Sequence, residues 1–256
     1  MSELIKLNIE NGIATISVHR PEALNALSKD LIDEMDDMLE TIKKDPAVRV
    51  LMFYSEKNFA AGADIKAMSV CDPEGARAFV FSDTYNKIEA MGIPSIAVID
   101  GYAFGGGLEL ALACDLRIAS KKATLGLTEL NLGIIPGAGG TVRLPRLIGE
   151  AKAKEMIFMS RIVSGEDAER IGLVNVAVDP DELMATAVKW AEKLKTRSAV
   201  ALRAAKESIE NGIRDTDYVS AINREADIWA GLFSSYDQKE GMAAFIEKRK
   251  PKFENR

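Results

Sequence analysis

Hydrophobic and polar positions along this chain switch between a period of two and a helical period, and the switches mark out its elements. Ile5 to Val18 alternates around Asn11-Gly12, which predicts an antiparallel hairpin closed by a two-residue turn. Leu27, Leu31, Met35, Met38 and Ile42 then recur at helical spacing, with Ser28 placed as a cap. Val48 to Tyr54 is a dense strand run, and Asp72-Pro73-Glu74 opens a helix predicted to reach about Met91. Ser95 to Ile99 reads as a buried strand, Leu108 to Ala113 as a buried helix, and Leu116–Ala119 and Thr124–Leu127 as short strands.

From Ala151 onward the pattern is nearly all helical. Ser164 and Asp167 form a capping box, Asp179-Pro180 begins another helix, and Ser198 starts one expected to end at Asn211-Gly212. Tyr218, Ile222, Trp229 and Phe233 fall on or near one face of a further helix, a stripe suited to core packing or to a subunit contact. The alternation predicts an α/β fold whose crossovers are too short for a simple doubly wound sheet, with a helical tail packed on it.

Composition narrows the function classes. The chain has 256 residues, 47% hydrophobic and 28% charged, with a net charge of -6, so nucleic acid is not expected as a main partner. Its longest uncharged stretch, Leu130 to Val142, is too short and too broken by Gly and Pro to span a membrane. The start, Met-Ser-Glu-Leu, lacks the pattern of a signal peptide, which makes a cytoplasmic location the expectation. Cys71 and Cys114 have no metal or redox spacing. His19 is the only histidine, and it sits where a turn is predicted; hydrolytic triads and zinc hydrolysis are not expected, and no metal site is assigned.

Two glutamates stand out against this background. Glu109 follows Gly105-Gly106-Gly107 at the start of an apolar helix, and Glu129 interrupts the apolar run L-G-L-T-E-L-N-L-G-I-I-P-G. A strand running through glycines into a helix exposes unpaired N–H groups at the positive helix end, where a carbonyl could be polarised; a tight turn with close packing is the other reading. The loop F-A-A-G-A-D, flanked by Lys57 and Lys66, could supply a second backbone donor. Neither G-x-G-x-x-G at this helix start nor a P-loop is present, so no nucleotide cofactor is called for.

The segments R-P-E-A-L-N-A-L, F-A-A-G-A-D-I, G-Y-A-F-G-G-G-L-E-L-A-L-A-C-D, T-E-L-N-L-G-I-I-P-G-A-G-G-T and E-G-M-A-A-F-I-E-K-R-K-P together resemble the enoyl-CoA hydratase/isomerase (crotonase) superfamily over almost the whole chain. The resemblance implies a spiral of ββα units over residues 1–195 and a C-terminal helical oligomerisation region over 196–256, building homotrimers or hexamers. It implies a hydro-lyase acting on trans-2-enoyl-CoA, with coenzyme A as part of the substrate and no other cofactor.

By position, it assigns the N–H groups of Ala63 and Gly106 to an oxyanion hole, Glu109 to activating water, Glu129 to protonating C2, and Gly137 to holding the water. Lys57 and Lys66 would meet the CoA phosphates and the Ala61 carbonyl the adenine. Phe245 and Lys248 would contribute to the CoA pocket, of the same or a neighbouring subunit, and Met68 and Leu108 would line the acyl pocket. Thr128 and His19 depart from the residues common at their positions without removing a catalytic group. Other readings stay open at this point: a double-bond isomerase, a non-catalytic CoA- or RNA-binding protein, or another acyl-CoA lyase of the superfamily. The intact glutamate pair argues against the first, and with the negative net charge also against the second.

Overall fold

The computed structural model describes residues 4–256. Nine strands appear among them: β1 (Ile5–Glu10), β2 (Ile13–Val18), β3 (Val50–Tyr54), β4 (Ser95–Ile99), β5 (Tyr102–Phe104), β6 (Leu116–Ser120), β7 (Thr124–Gly126), β8 (Val163–Ser164) and β9 (Val176–Val178). The helices are α1 (Lys29–Lys44), α2 (Ile65–Met68), α3 (Pro73–Ala76), α4 (Ser82–Glu89), α5 (Gly106–Ala113) and α6 (Gly140–Ile148), followed by α7 (Glu150–Phe158), α8 (Gly165–Arg170), α9 (Leu183–Lys195), α10 (Ala199–Arg214), α11 (Tyr218–Gly231) and α12 (Tyr236–Ile246).

The predicted hairpin forms. Asn11 and Gly12 both take positive φ, 50° and 75°, which matches the right-handed twist of the strands that they join. Leu31, Met35, Leu39 and Ile42 of α1 are buried, and the Ser28 side chain accepts a hydrogen bond from the Leu31 N–H.

A six-stranded sheet runs β1-β2-β3-β4-β6-β9, parallel from β2 onward, and a three-stranded sheet runs β5-β7-β8. The chain visits the sheets in turn: β4 then β5 then α5, β6 then β7 then α6 and α7. Strand to the large sheet, strand to the small sheet, helix: this repeat is the ββα spiral.

Because the large sheet is covered on both faces, its strands read as apolar runs with two destinations. Leu51, Phe53, Ala97 and Ile99 face the main core with α1, α4 and α5, while Val50, Met52, Ile96 and Val98 face Leu183, Ala187 and Ala191 of α9.

Three expectations are corrected. The helix from Asp72 breaks into α3, a 3₁₀ turn (Arg77–Phe79) and α4, because Phe79 and Phe81 turn inward and Phe81 packs edge-on against Tyr85, ring centroids 6.2 Å apart. The region after Ala151 is not all helix: β8 pairs with β7 and β9 with β6, both too short to show a period. α10 runs past Asn211-Gly212 to Arg214, since a lone glycine in a helix costs only about 1 kcal/mol.

Among the described residues no helix is long and apolar enough to cross a membrane. His19 is exposed, and Cys114 is buried with its thiol pushed up to about 12 by desolvation.

Candidate active site

The turn through Gly105-Gly106-Gly107 determines how the site is built. Gly105 has φ 49° and ψ -125°, a backbone state that favours glycine, and it swings the chain from β5 into α5. A Cβ on Gly105 would stand 3.2 Å from Glu129 Oε1, so the turn also makes room for that carboxylate. A Cβ on Gly107 would overlap the Ala60 carbonyl, whereas one on Gly106 would make only ordinary contacts, the nearest being the Ala63 nitrogen at 3.8 Å. Gly107 therefore serves packing, and Gly106 faces a gap beside Ala63.

The loop carrying Ala63 is held from two sides. Ala60 pairs with β5 through the Tyr102 carbonyl (2.9 Å) and the Phe104 N–H (3.1 Å). Leu27 N–H bonds the Gly62 carbonyl and Asp64 N–H bonds the Leu27 carbonyl, which leaves the Ala63 N–H between them unused. Among the described residues neither the Ala63 nor the Gly106 N–H has an acceptor, and the Gly137 N–H has none either. Asn25, buried with φ 60°, ties the loop to the chain before α1: its Nδ2 donates to the Asn58 carbonyl at 2.6 Å and its Oδ1 accepts from the Arg20 N–H at 2.8 Å. Arg20 in turn pairs with Asp64 at 3.4 Å.

A cavity of about 190 Å³ opens over these groups, lined by Ala61, Ala63, Gly106, Glu109, Glu129 and Gly137 on its polar side. Met68, Phe79, Val80, Phe81, Leu132 and Ile134 form its apolar side. Leu108 is not in the wall: it is fully buried in the core on the other side of α5.

The two glutamates occupy different environments. Glu109 is 3% exposed, and its Oε1 accepts hydrogen bonds from the Ala138 N–H (2.8 Å) and the Gly140 N–H (2.7 Å). Burial raises its carboxyl above the usual range, while those two amides and Arg143 pull back toward the ionised form. Glu129 opens the 3₁₀ turn Glu129–Leu132, and its Oε2 is buried without a partner. Desolvation, opposed by its own N–H and reinforced by the charge of Glu109, pushes it up to about 7. Two carboxyls in one cavity thus differ in surroundings: Glu109 is held by two amides, and Glu129 keeps one buried oxygen without a partner.

Residues 8–256 match the family described as Enoyl-CoA hydratase/isomerase. The chain belongs to this family. Enoyl-CoA hydratase/isomerase relatives include a crotonyl-CoA hydratase from Syntrophomonas wolfei subsp. wolfei, 42% identical over 255 residues and covered to 98% in both chains. A short-chain-enoyl-CoA hydratase from Clostridium acetobutylicum is also 42% identical, over 98% of this chain and 97% of its own. The crystal structure of an enoyl-CoA hydratase from Bacillus anthracis superimposes with a TM-score of 0.95 at 40% identity, covering 99% of this chain and 100% of that one.

Placement of the remaining expected site residues divides in two. Lys57 and Lys66 are exposed on either side of the Ala63 loop, Lys66 on the same short helix as Ile65 and Met68 of the cavity wall, and neither has an ion-pair partner among the described residues. Phe245 and Lys248 are not brought to the cavity within this chain. Phe245 is 85% exposed on α12 because the helix presents it outward.

Sequence reasoning did not find Asn25, Tyr85 or Arg143. Tyr85, fully buried, donates its hydroxyl to the Gly106 carbonyl at 2.8 Å, and nothing in its helical spacing marks it. Arg143 did carry a signal: it is the charge that ends the long uncharged stretch after Glu129.

Proposed function

We propose that this protein is an enoyl-CoA hydratase, a hydro-lyase that reversibly adds water, syn, to short trans-2-enoyl-CoA thioesters to give 3-hydroxyacyl-CoA. The observation that carries this reading is a pair of buried carboxyls in one cavity, one held by two backbone amides and the other with an unpartnered oxygen, beside two unpaired backbone N–H groups.

The steps follow from those positions. The thioester carbonyl accepts hydrogen bonds from the Ala63 and Gly106 N–H groups, at the positive end of α5. A water held by Glu109, Glu129 and the Gly137 N–H loses a proton to Glu109 as its oxygen forms the bond to C3. The C2–C3 π electrons move toward the carbonyl, and the resulting enolate oxygen is stabilised by the two amides. C2 then takes a proton from Glu129, and the proton on Glu109 restores the pair, so that the net change is one added water. Because both carboxyls contact one water, they titrate as a coupled pair.

Lys57 and Lys66 meet the CoA phosphates locally, which reconciles an acidic protein with an anionic substrate, and the Ala61 carbonyl receives the adenine. Phe245 and Lys248 act from a neighbouring copy in a homotrimer or hexamer. The reaction needs no cofactor beyond the CoA carried by the substrate. A cytoplasmic setting in short-chain acyl-CoA metabolism, fatty-acid β-oxidation included, suits this chemistry. An isomerase needs a single proton shuttle, and the second carboxyl favours hydration over it.

The direct test is the ultraviolet absorbance of crotonyl-CoA mixed with the purified protein alone. Loss of the conjugated enoyl-thioester band with 3-hydroxybutyryl-CoA as product supports the reading. An unchanged band with crotonyl-CoA and with longer 2-enoyl-CoA esters refutes it.

A further inference from the structure

The Glu109 carboxylate is held by amides of the segment that leads into α6, and that segment is itself held by one side chain. Arg143 Nη1 donates to the Ala138 carbonyl at 3.0 Å, while Nη2 reaches Asn86 Oδ1 at 2.7 Å and Glu89 Oε2 at 3.0 Å on α4. Glu89 also pairs with Arg214 of α10 at 3.2 Å. A continuous set of contacts therefore joins α10, α4 and α6 to the peptides that bind Glu109.

The seat of this guanidinium is costly. Its side chain is 14% exposed, and its Nε is buried without a partner, a loss that an ordinary surface ion pair never incurs. A Cβ on Gly139, at φ 106°, would stand 2.1 Å from Arg143 Nη1, so the guanidinium lies against that glycine. Gly140 is equally constrained from the other face, where a Cβ would stand 2.9 Å from Glu109 Oε1. Backbone between Ala138 and Gly140 thus runs between the guanidinium on one side and the carboxylate on the other.

We propose that Arg143 is a positioning residue that holds the Glu109 carboxylate in its reactive orientation through the Ala138–Gly140 backbone, an inference that rests on the base role assigned to Glu109 above. Its positive charge also favours the ionised carboxylate. The groups that share this environment are Glu129 from the 3₁₀ turn, Tyr85, Asn86 and Glu89 from α4, Cys114 after α5, and Arg214 from α10.

The planar fork reaches Ala138, Asn86 and Glu89 at once, which a lysine ammonium cannot do. Charge and placement are therefore separable by substitution. Arg143→Met in the full chain should lower kcat on the order of tenfold to a hundredfold, with KM for crotonyl-CoA little changed. Its acidic limb of kcat/KM should move to higher pH, because the base loses a charge that favoured its ionised form. Arg143→Lys should return that limb toward its original pH while kcat stays low. Should Arg143→Met fail to fold, Asn86→Ala removes one anchor of the fork and should lower kcat in the same direction by less.

An unmoved acidic limb in Arg143→Met, or unchanged kcat in Arg143→Met or in Asn86→Ala, overturns the proposal. Glu109→Gln in the same assay separates the two levels. If it is inactive while the Arg143 variants behave like the parent, only the positioning role fails. If it turns over normally, the base assignment itself fails.

Discussion

The spiral core and the C-terminal helices satisfy their side chains in different ways. Every residue of α5 is buried, the large sheet is covered on both faces, and the cavity with its two glutamates is lined by residues of one chain. α10 and α11 bury no residue at all, and Tyr218, Ile222 and Trp229 of α11 stay exposed, Trp229 by 62% while its ring packs edge-on against Phe233. β4 and α5 bury every residue within the chain, whereas α11 leaves an apolar face that a second copy would cover in the proposed oligomer. The same division runs through the expected CoA site, since Ala61 lies at the cavity and Phe245 does not. In the proposed function, chemistry falls to the single chain and the far end of the substrate to a neighbouring copy.

The largest effect should come from the core. Glu109→Gln and Glu129→Gln should each lower kcat by roughly 10²-fold or more while CoA binding is kept, because neither carboxyl is placed on the CoA moiety. Steady-state kinetics with a CoA-competition measurement checks this, and near-normal turnover in either variant would break the division of roles. Next come the adjacent glycines. Gly107→Ala drives a Cβ into the Ala60 carbonyl and should cost about 1–3 kcal/mol in urea unfolding, whereas Gly106→Ala should fold normally and act on turnover alone. Equal unfolding curves for the two variants would contradict the packing role of Gly107.

The smallest effect on chemistry should come from the tail. Trp229→Asp places a charge on the exposed face of α11 and should lower the oligomer mass in light scattering while the folded core persists. KM should rise more than kcat falls, because the neighbouring Phe245 and Lys248 are lost to the site. An unchanged mass would move the subunit contact away from this face.

Legibility in the sequence followed the range of the forces involved. The hairpin was readable because Asn11-Gly12 and the alternation around it are local, and α1 because its cap and apolar spacing agree. Glu109 and Glu129 were readable because a carboxyl in an apolar stretch is costly without a purpose. The break at Phe79–Phe81 was not, since it depends on aromatic packing against Tyr85 and on the cavity. β8 and β9 escaped because two- and three-residue strands have no period, only partners distant in sequence. Asn25 holds the backbone of Asn58, far along the chain, and Arg143 reaches Asn86 and Glu89 across helices, so spacing carried no trace of what they hold.

The most direct measurement is hydration of crotonyl-CoA in D₂O, with the relative configuration at C2 and C3 of the product read by NMR. One water shared by Glu109 and Glu129 on one wall of the cavity predicts a single diastereomer, with the deuteron and the deuteroxyl added to the same face. A mixture of diastereomers, anti addition, or deuterium at C2 without hydration would contradict the two-carboxyl account.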